Sequence, residues 1–363
     1  MFTGNALSRS YDITAEKNDD YINGVTVLDL VLIQKHVLGL ERITQPELLI
    51  AADIDNNGRV TTADLSELRK LILGLYTELP DNNSWRFVDA THDFDAAGAV
   101  FPFPEVLTIQ SLSFDRLSED FIGIKIGDVS GNAIANSGFA STRSANNTLA
   151  LQATDATLVE GELVEVAVTS NSFTDITGYQ FTMELSGLEF VGGTSGAIEV
   201  SESNFAALST STITTAWAGI EGVSTDETLF TMTFRATANV ALSSALNIGS
   251  SVAAARAYTS TQEELDVVLE YNTVGAAGFA LLQNTPNPFN QTTQIGFELP
   301  VAGSATLTIF DVTGKTVSVL TETYNAGYNE ITLRKSDLGT TGVLYYQLES
   351  GDNTATQKMV IIE

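Results

Sequence analysis

The chain has 363 residues, 45 acidic against 17 basic, a net charge of −28, two histidines and no cysteine. At about 150 residues per domain this is two to three cores, and the missing cysteines exclude disulfide frameworks, thiolate zinc sites and cysteine nucleophiles. An acid surplus of this size disfavours nucleic acid and anionic membrane as partners, because both are bound by displacing counterions with Lys and Arg, and no run of about 18 apolar residues is present to span a bilayer.

Two small polar stretches, 136–147 and 272–278, rich in Gly, Ser, Asn and Ala, read as linkers. They divide the chain into 1–146, 147–278 and 279–363. The middle segment has 16 acids, only Arg235 and Arg256 as bases, and no Lys.

Residues 1–146 contain an internal repeat. Asp29–Leu40 aligns with Asp64–Leu75 at an offset of 35. Leu30, Ile33, Val37 and Leu38 fall at i, i+3, i+7 and i+8, one apolar helical face, and Leu65, Leu68, Ile72 and Leu73 repeat it. Gly39 and Gly74 sit where a helix ends in a left-handed residue. An Asn-Gly pair, Asn23-Gly24 and Asn57-Gly58, precedes each helix.

The second loop, Asp53 to Asp64, places oxygen side chains at positions 1, 3, 5, 9 and 12 (Asp53, Asp55, Asn57, Thr61, Asp64) with Gly58 at 6. A hard cation takes six to eight oxygens, Gly permits the sharp turn, and the carbonyl of Arg59 at position 7 adds a ligand. These residues point to Ca²⁺; the plainer alternative is an Asp/Asn-rich turn with an Asp helix cap. The first loop is poorer. With Gly24 at position 6, Asp19, Tyr21 and Asn23 fall at 1, 3 and 5, and Asp29 comes one residue early. Tyr is no calcium ligand. Further on, 86–89 and 121–126 read as strands. Asp128-x-Ser130-x-Asn132 then resembles half of another oxygen-rich loop without its helix, a plain turn or a donor of oxygens to the weak first loop.

Paired loops of this kind, each followed by one helix, resemble the dockerin family. The resemblance implies Asp53, Asp55, Asn57, the Arg59 carbonyl and Asp64 as calcium ligands, and a cohesin-type partner bound through the helix starts, here Thr62-Ala63 and Val27-Leu28. The apolar first pair departs from the small or hydroxyl residues that the family uses.

In 147–278 alternation dominates. Leu163–Val168, Gly178–Leu185, Ser211–Trp217, Thr228–Arg235 and Glu264–Tyr271 read as strands of a sandwich or barrel. The phrases at Gly178–Met183, Leu188–Gly192 and Leu229–Phe234 resemble the cohesin and carbohydrate-binding-module sandwich. Trp217, Tyr179, Tyr258 and Phe205 are the rings that polysaccharide could stack on, and core packing is the competing role for each.

Residues 279–363 open on Pro286-Asn-Pro288-Phe289-Asn290 and continue as strands at Thr293–Leu299, Ala305–Asp311, Thr316–Thr323, Asn329–Leu333, Val343–Glu349 and Ala355–Ile362. The segments Asn287–Asn290, Phe310–Lys315, Gly342–Tyr346 and Gln357–Ile362 resemble the type A C-terminal sorting domain of type IX secretion in Bacteroidota, with Lys358 at the family's terminal basic position. That resemblance implies the secretion machinery as a partner and an extracellular or outer-surface location. Family cargo carries an N-terminal signal peptide and none is visible at the start, so the chain is expected to be the C-terminal part of a longer precursor.

The expected whole is multidomain and mainly β: a small α-helical dockerin-like domain, then two antiparallel β-sandwiches. No nucleophile elbow, His-Glu-x-x-His or phosphate loop occurs, and His36 lies in a helix, where packing or capping explains it. The chain is expected to be a non-catalytic modular tail, with any catalytic domain upstream. It would act as a calcium-stabilised scaffold or adhesion region, or alternatively as a carbohydrate-binding or dockerin–cohesin module.

Overall fold

A computed structural model describes residues 9–94, 98–112, 114, 116, 118–135, 147–273, 279–325, 327–351 and 353–362. Most of both expected linkers lies outside these residues. The chain forms two compact units, one of residues up to Ala153 with Thr157–Glu270, the other of Thr154–Ala156 with Tyr271 onward. The first two of the three sequence segments therefore share one unit.

In the first unit the repeat becomes α1 (Val27–Val37) and α3 (Thr62–Ile72). Each starts with the same device. Thr26 and Thr61 are N-caps in extended backbone, and Asp29 and Asp64, three residues on, reach back to the cap N–H at 2.8 and 2.7 Å. This reciprocal box satisfies donors that a helix start leaves open. Each helix stops at a glycine with φ near the left-handed region, Gly39 at 72° and Gly74 at 73°. Between them lies α2 (Pro46–Ala52), which starts on a proline at its first turn. Its seven residues are too few to show helical periodicity in the sequence.

His36 accepts the N–H of Ile43 at Nδ1, 2.9 Å. Burial and the Arg42 charge hold its pKa below the ordinary 6.5. The folded state thus resists the proton that the unfolded chain accepts. This contribution is complete above the unfolded value and lost as pH falls through the lower folded one. The urea midpoint is expected to drop more between pH 7 and pH 5 in the wild type than in His36→Asn, which keeps an acceptor but does not titrate. Parallel slopes for the two proteins would count against this role.

Two small ribbons close the region: β1 (Tyr11–Ile13) on β3 (Leu107–Ile109), and β2 (Trp85–Asp89) on β4 (Phe121–Lys125). The second ribbon brings residues after 125 back beside the first loop.

The sandwich has a large sheet in the order β10 (Phe205–Ser209), β11 (Thr212–Val223), β8 (Ile176–Leu185), β15 (Arg256–Thr259), β16 (Glu264–Thr273), β5 (Asn147–Asp155), with β14 (Leu246–Gly249) also on β8. Facing it is a sheet of β7 (Leu163–Val168), β12 (Phe230–Ala236) and β9 (Leu188–Ser195), and β6 (Thr157–Leu158) pairs with β13 (Val240–Ala241). Alternation sorts β8 cleanly. Tyr179 and Phe181 point into an aromatic core, with Tyr179 stacked on Trp217 and Phe230 at centroid distances of 5.7 and 5.9 Å. The intervening Gly178, Gln180 and Thr182 point to the other face, where they too are buried. That face carries α1 and α3: Ala206, Ala216 and Tyr258 join Val27, Leu30, Ile33, Leu68 and Ile72 in one apolar cluster. Trp217, Tyr179, Tyr258 and Phe205 are all buried, at 6, 0, 2 and 8 % exposure, so none of these four rings offers a stacking platform.

The second unit packs β17 (Ala280–Leu281), β18 (Thr292–Leu299) and β21 (Gly327–Arg334) against β20 (Thr316–Tyr324), β19 (Gly303–Asp311), β22 (Gly342–Ser350) and β23 (Asn353–Ile361). All six strands expected there are present, β17 in addition. The Asn-Pro-Phe phrase has a structural task. Asn287 accepts the N–H of Val360 at 2.9 Å, Phe289 exchanges backbone bonds with Val360 and Ile362, and its ring is buried. The entry segment is thereby tied to the last strand, while Lys358 stays exposed.

Candidate calcium loops

The second loop folds around its own acids. Asp53, Asp55 and Asp64 each present a carboxylate oxygen, all within 4.8 Å of one another. Asp53 accepts the backbone N–H groups of Asn57 and Gly58, both at 3.0 Å, and Asp64 accepts those of Ile54 and Asp55 at 2.7 and 3.2 Å. These bonds wrap the backbone round the carboxylates, with Asn56 and Gly58 at positive φ making the turn. Burial is the main cause that raises the pKa of both Asp53 and Asp64, and neighbouring carboxylates add to it. Three converging acids without a cation among them are electrostatically unfavourable. An all-oxygen donor set of this charge fits a hard divalent ion, and Asp53, Asp55, Asn57, Asp64 and the Arg59 carbonyl would hold it.

The first repeat is built differently from its expected loop. Asp19 is exposed and pairs with Lys17 at 2.6 Å. The Asn23 side chain is spent on the backbone of Ile134, donating at 2.8 Å and accepting at 3.1 Å. Tyr21 is a buried ring whose hydroxyl donates to Asn18. Asp19, Tyr21 and Asn23 therefore do not form loop positions 1, 3 and 5.

Asp128–Asn132 takes their place. Asp29 accepts the N–H groups of Val129 and Ser130, both at 2.9 Å, as Asp64 accepts those of Ile54 and Asp55. Asp128 accepts the N–H groups of Gly131, Asn132 and Ala133 at 2.7 to 3.0 Å, as Asp53 does those of Asn57 and Gly58. Position by position, Asp128 matches Asp53, Ser130 matches Asp55, Asn132 matches Asn57 and Asp29 matches Asp64. The loop is cut in the middle. Where Gly58 continues into Arg59, Ala133 merely abuts Gly24, and a Cβ on Gly24 would lie 2.4 Å from the Ala133 nitrogen. Only glycine at this position, with φ 75°, lets the two halves meet. Asp29 is fully buried, and burial with the Asp128 charge pushes it up to about 7. This set has two carboxylates and two neutral side chains against three and one, and the Lys125 ammonium, buried on the carbonyls of Tyr21 and Ile126, lies in its field. It fits a cation more weakly than the intact loop.

Sequence reasoning missed the positioning residues. Asn82 donates to the Asp53 carbonyl at 2.8 Å, and Arg86 donates to Asn56 at 2.6 Å while gripping both oxygens of Glu105. These partners lie 19 to 30 residues apart, and no local spacing marks them.

Residues 18–73 match the Dockerin type I domain family and residues 285–362 the Secretion system C-terminal sorting domain family. Part of the chain is similar to cohesin domains of solved structure. One is the sixth cohesin of scaffoldin B from Acetivibrio cellulolyticus, solved with a Cel5 dockerin mutant (16 % identity, 35 % of this chain and 98 % of that one, TM-score 0.29). Another is a non-cellulosomal cohesin from Archaeoglobus fulgidus (18 % identity, 35 % and 88 %, TM-score 0.25). No curated protein matches the chain. The chain thus carries a dockerin domain at 18–73 and a sorting domain at 285–362. The sorting domain implies export by type IX secretion to the cell surface or the extracellular space. No helix among the described residues is long and apolar enough to cross a membrane.

Proposed function

We propose that this chain is the non-catalytic tail of an exported modular protein, in which calcium locks a dockerin unit against a scaffolding or adhesive sandwich and the terminal domain directs export and surface attachment. The observation that carries the reading is the convergence of Asp53, Asp55 and Asp64 in the loop before α3. Calcium supplies charge neutralisation there, and the chain's own residues supply the rest: Asp53 and Asp64 wrap the loop, Asn82 and Arg86 hold it from outside. In this reading the split loop of Asp29, Asp128, Ser130 and Asn132 takes a second, weaker ion. Any catalytic domain lies upstream.

Calcium titration of the full chain by calorimetry is expected to show two sites, the tighter lost in Asp53→Ala and the weaker in Asp128→Ala. Calcium at about 100 times its Kd adds about 2.7 kcal/mol to folding, which for a unit of this size is roughly 5–10 °C in Tm. An unchanged melt after chelation, together with no heat of binding, would sink the calcium reading.

A further inference from the structure

The sheet face opposite the aromatic core is small and polar, yet it is covered. Gln180, Thr214 and Ala216 lie on it at 2 % exposure or less, and Gly178 beside them is buried. Buried polar groups on such a face are costly unless the covering surface supplies partners. Here Gln180 and Thr214 each find one at a helix terminus. The Gln180 side-chain oxygen accepts the N–H of Val27 at 2.7 Å, in the first turn of α1. The Thr214 hydroxyl donates to the carbonyl of Leu73 at 2.6 Å, at the end of α3. Both are backbone groups that a helix leaves open. Between these two bonds the fit is close. Val27 is fully buried, and its methyls would lie 3.2 Å from a Cβ on Gly178, so the helix start sits where the sheet has no side chain. Tyr258 and Ala206 extend the contact on either side.

We infer that the protein partner of the dockerin unit is the sandwich of its own chain. Residues 18–134 and 147–270 form a pair in cis, held by the α1 and α3 termini on β8 and β11. While the pair is closed, the α1 start is withdrawn from any outside sandwich. The α3 start, with Thr62 and Ala63 exposed, is left open. This deepens the function proposed above by naming the partner of the dockerin unit, and the contacts themselves do not depend on the ion.

The test inserts a specific protease site between Ser141 and Thr142 of the full chain, cuts it, and follows the two pieces by size-exclusion chromatography in millimolar calcium. Co-elution at the mass of one chain is the expected result. Separation of the pieces would overturn the inference. So would an uncut chain that dimerises increasingly with concentration, the mark of pairing with a second copy. Gly178→Trp in the cut protein is expected to release the pieces. Because that wedge could also disturb the sheet, Gln180→Leu serves as the second variant, with circular dichroism to check the strands. It leaves the Val27 N–H unpaired and is expected to weaken association of the pieces about tenfold; unaltered association in both variants would refute the proposed contact. Separation with calcium heat retained removes the cis pair and leaves the calcium reading standing. Co-elution without calcium heat does the reverse.

Discussion

Exchange of Asp29 for alanine is expected to cost the first unit about 3–5 kcal/mol, measured by urea denaturation of the full chain in calcium. The residue is fully buried and accepts three backbone N–H groups: Thr26 at 2.8 Å, and Val129 and Ser130 at 2.9 Å each. Alanine leaves all three without an acceptor in a site closed to water, and each such group costs about 1–3 kcal/mol before relaxation. The loss of the α1 capping box is part of this sum. Asp29→Asn keeps one acceptor oxygen and is expected to lose about half as much. A loss below about 1 kcal/mol for the alanine variant would show that Asp29 does not join the two halves of the loop.

The second large effect is expected in the sandwich. Phe230→Ala should cost about 3–5 kcal/mol. The ring is fully buried in β12, between Tyr179 at 5.9 Å and Phe205 at 6.2 Å. Its strand is the middle one of the smaller sheet, paired on both sides, so the backbone cannot collapse into the space the ring leaves. Leu163→Ala on the neighbouring strand, where the side chain is 55 % exposed, should stay within about 0.5 kcal/mol. Equal losses from the two substitutions would mean that the aromatic stack does not hold the sheets together.

The intact loop was legible because all its donors lie within twelve contiguous residues and its Thr-x-x-Asp box starts the helix. The apolar face of Leu30, Ile33, Val37 and Leu38 marked α1, but the acids just upstream misled: Asp19 has the right residue type and is spent on Lys17. Half of the true first loop was visible as Asp128-x-Ser130-x-Asn132. What joins it to Asp29 is the β2–β4 ribbon, a contact between segments that no local period encodes. Alternation in Gly178–Leu185 located the core face correctly. It could not show that Gly178, Gln180 and Thr182 are buried as well, because small and polar residues on the outer side of a strand resemble a solvated face. Their burial follows only from complementarity with a surface elsewhere in the chain, and the same is true of Tyr258. The strands β10, β14 and β15 went unseen, being only four or five residues long.

The joint between Gly24 and Ala133 has a consequence for the order in which the unit assembles. An unbroken loop is closed by diffusion of about a dozen residues; this one waits for bonds between residues 100 and 101 positions apart. By loop-closure scaling the longer circuit costs about 2 kcal/mol more in chain entropy. The two repeats, so alike in sequence, are therefore unlike in time. The α3 repeat can form from its own local bonds and serve as a nucleus, whereas the start of α1 is completed only once the β2–β4 ribbon has returned the chain.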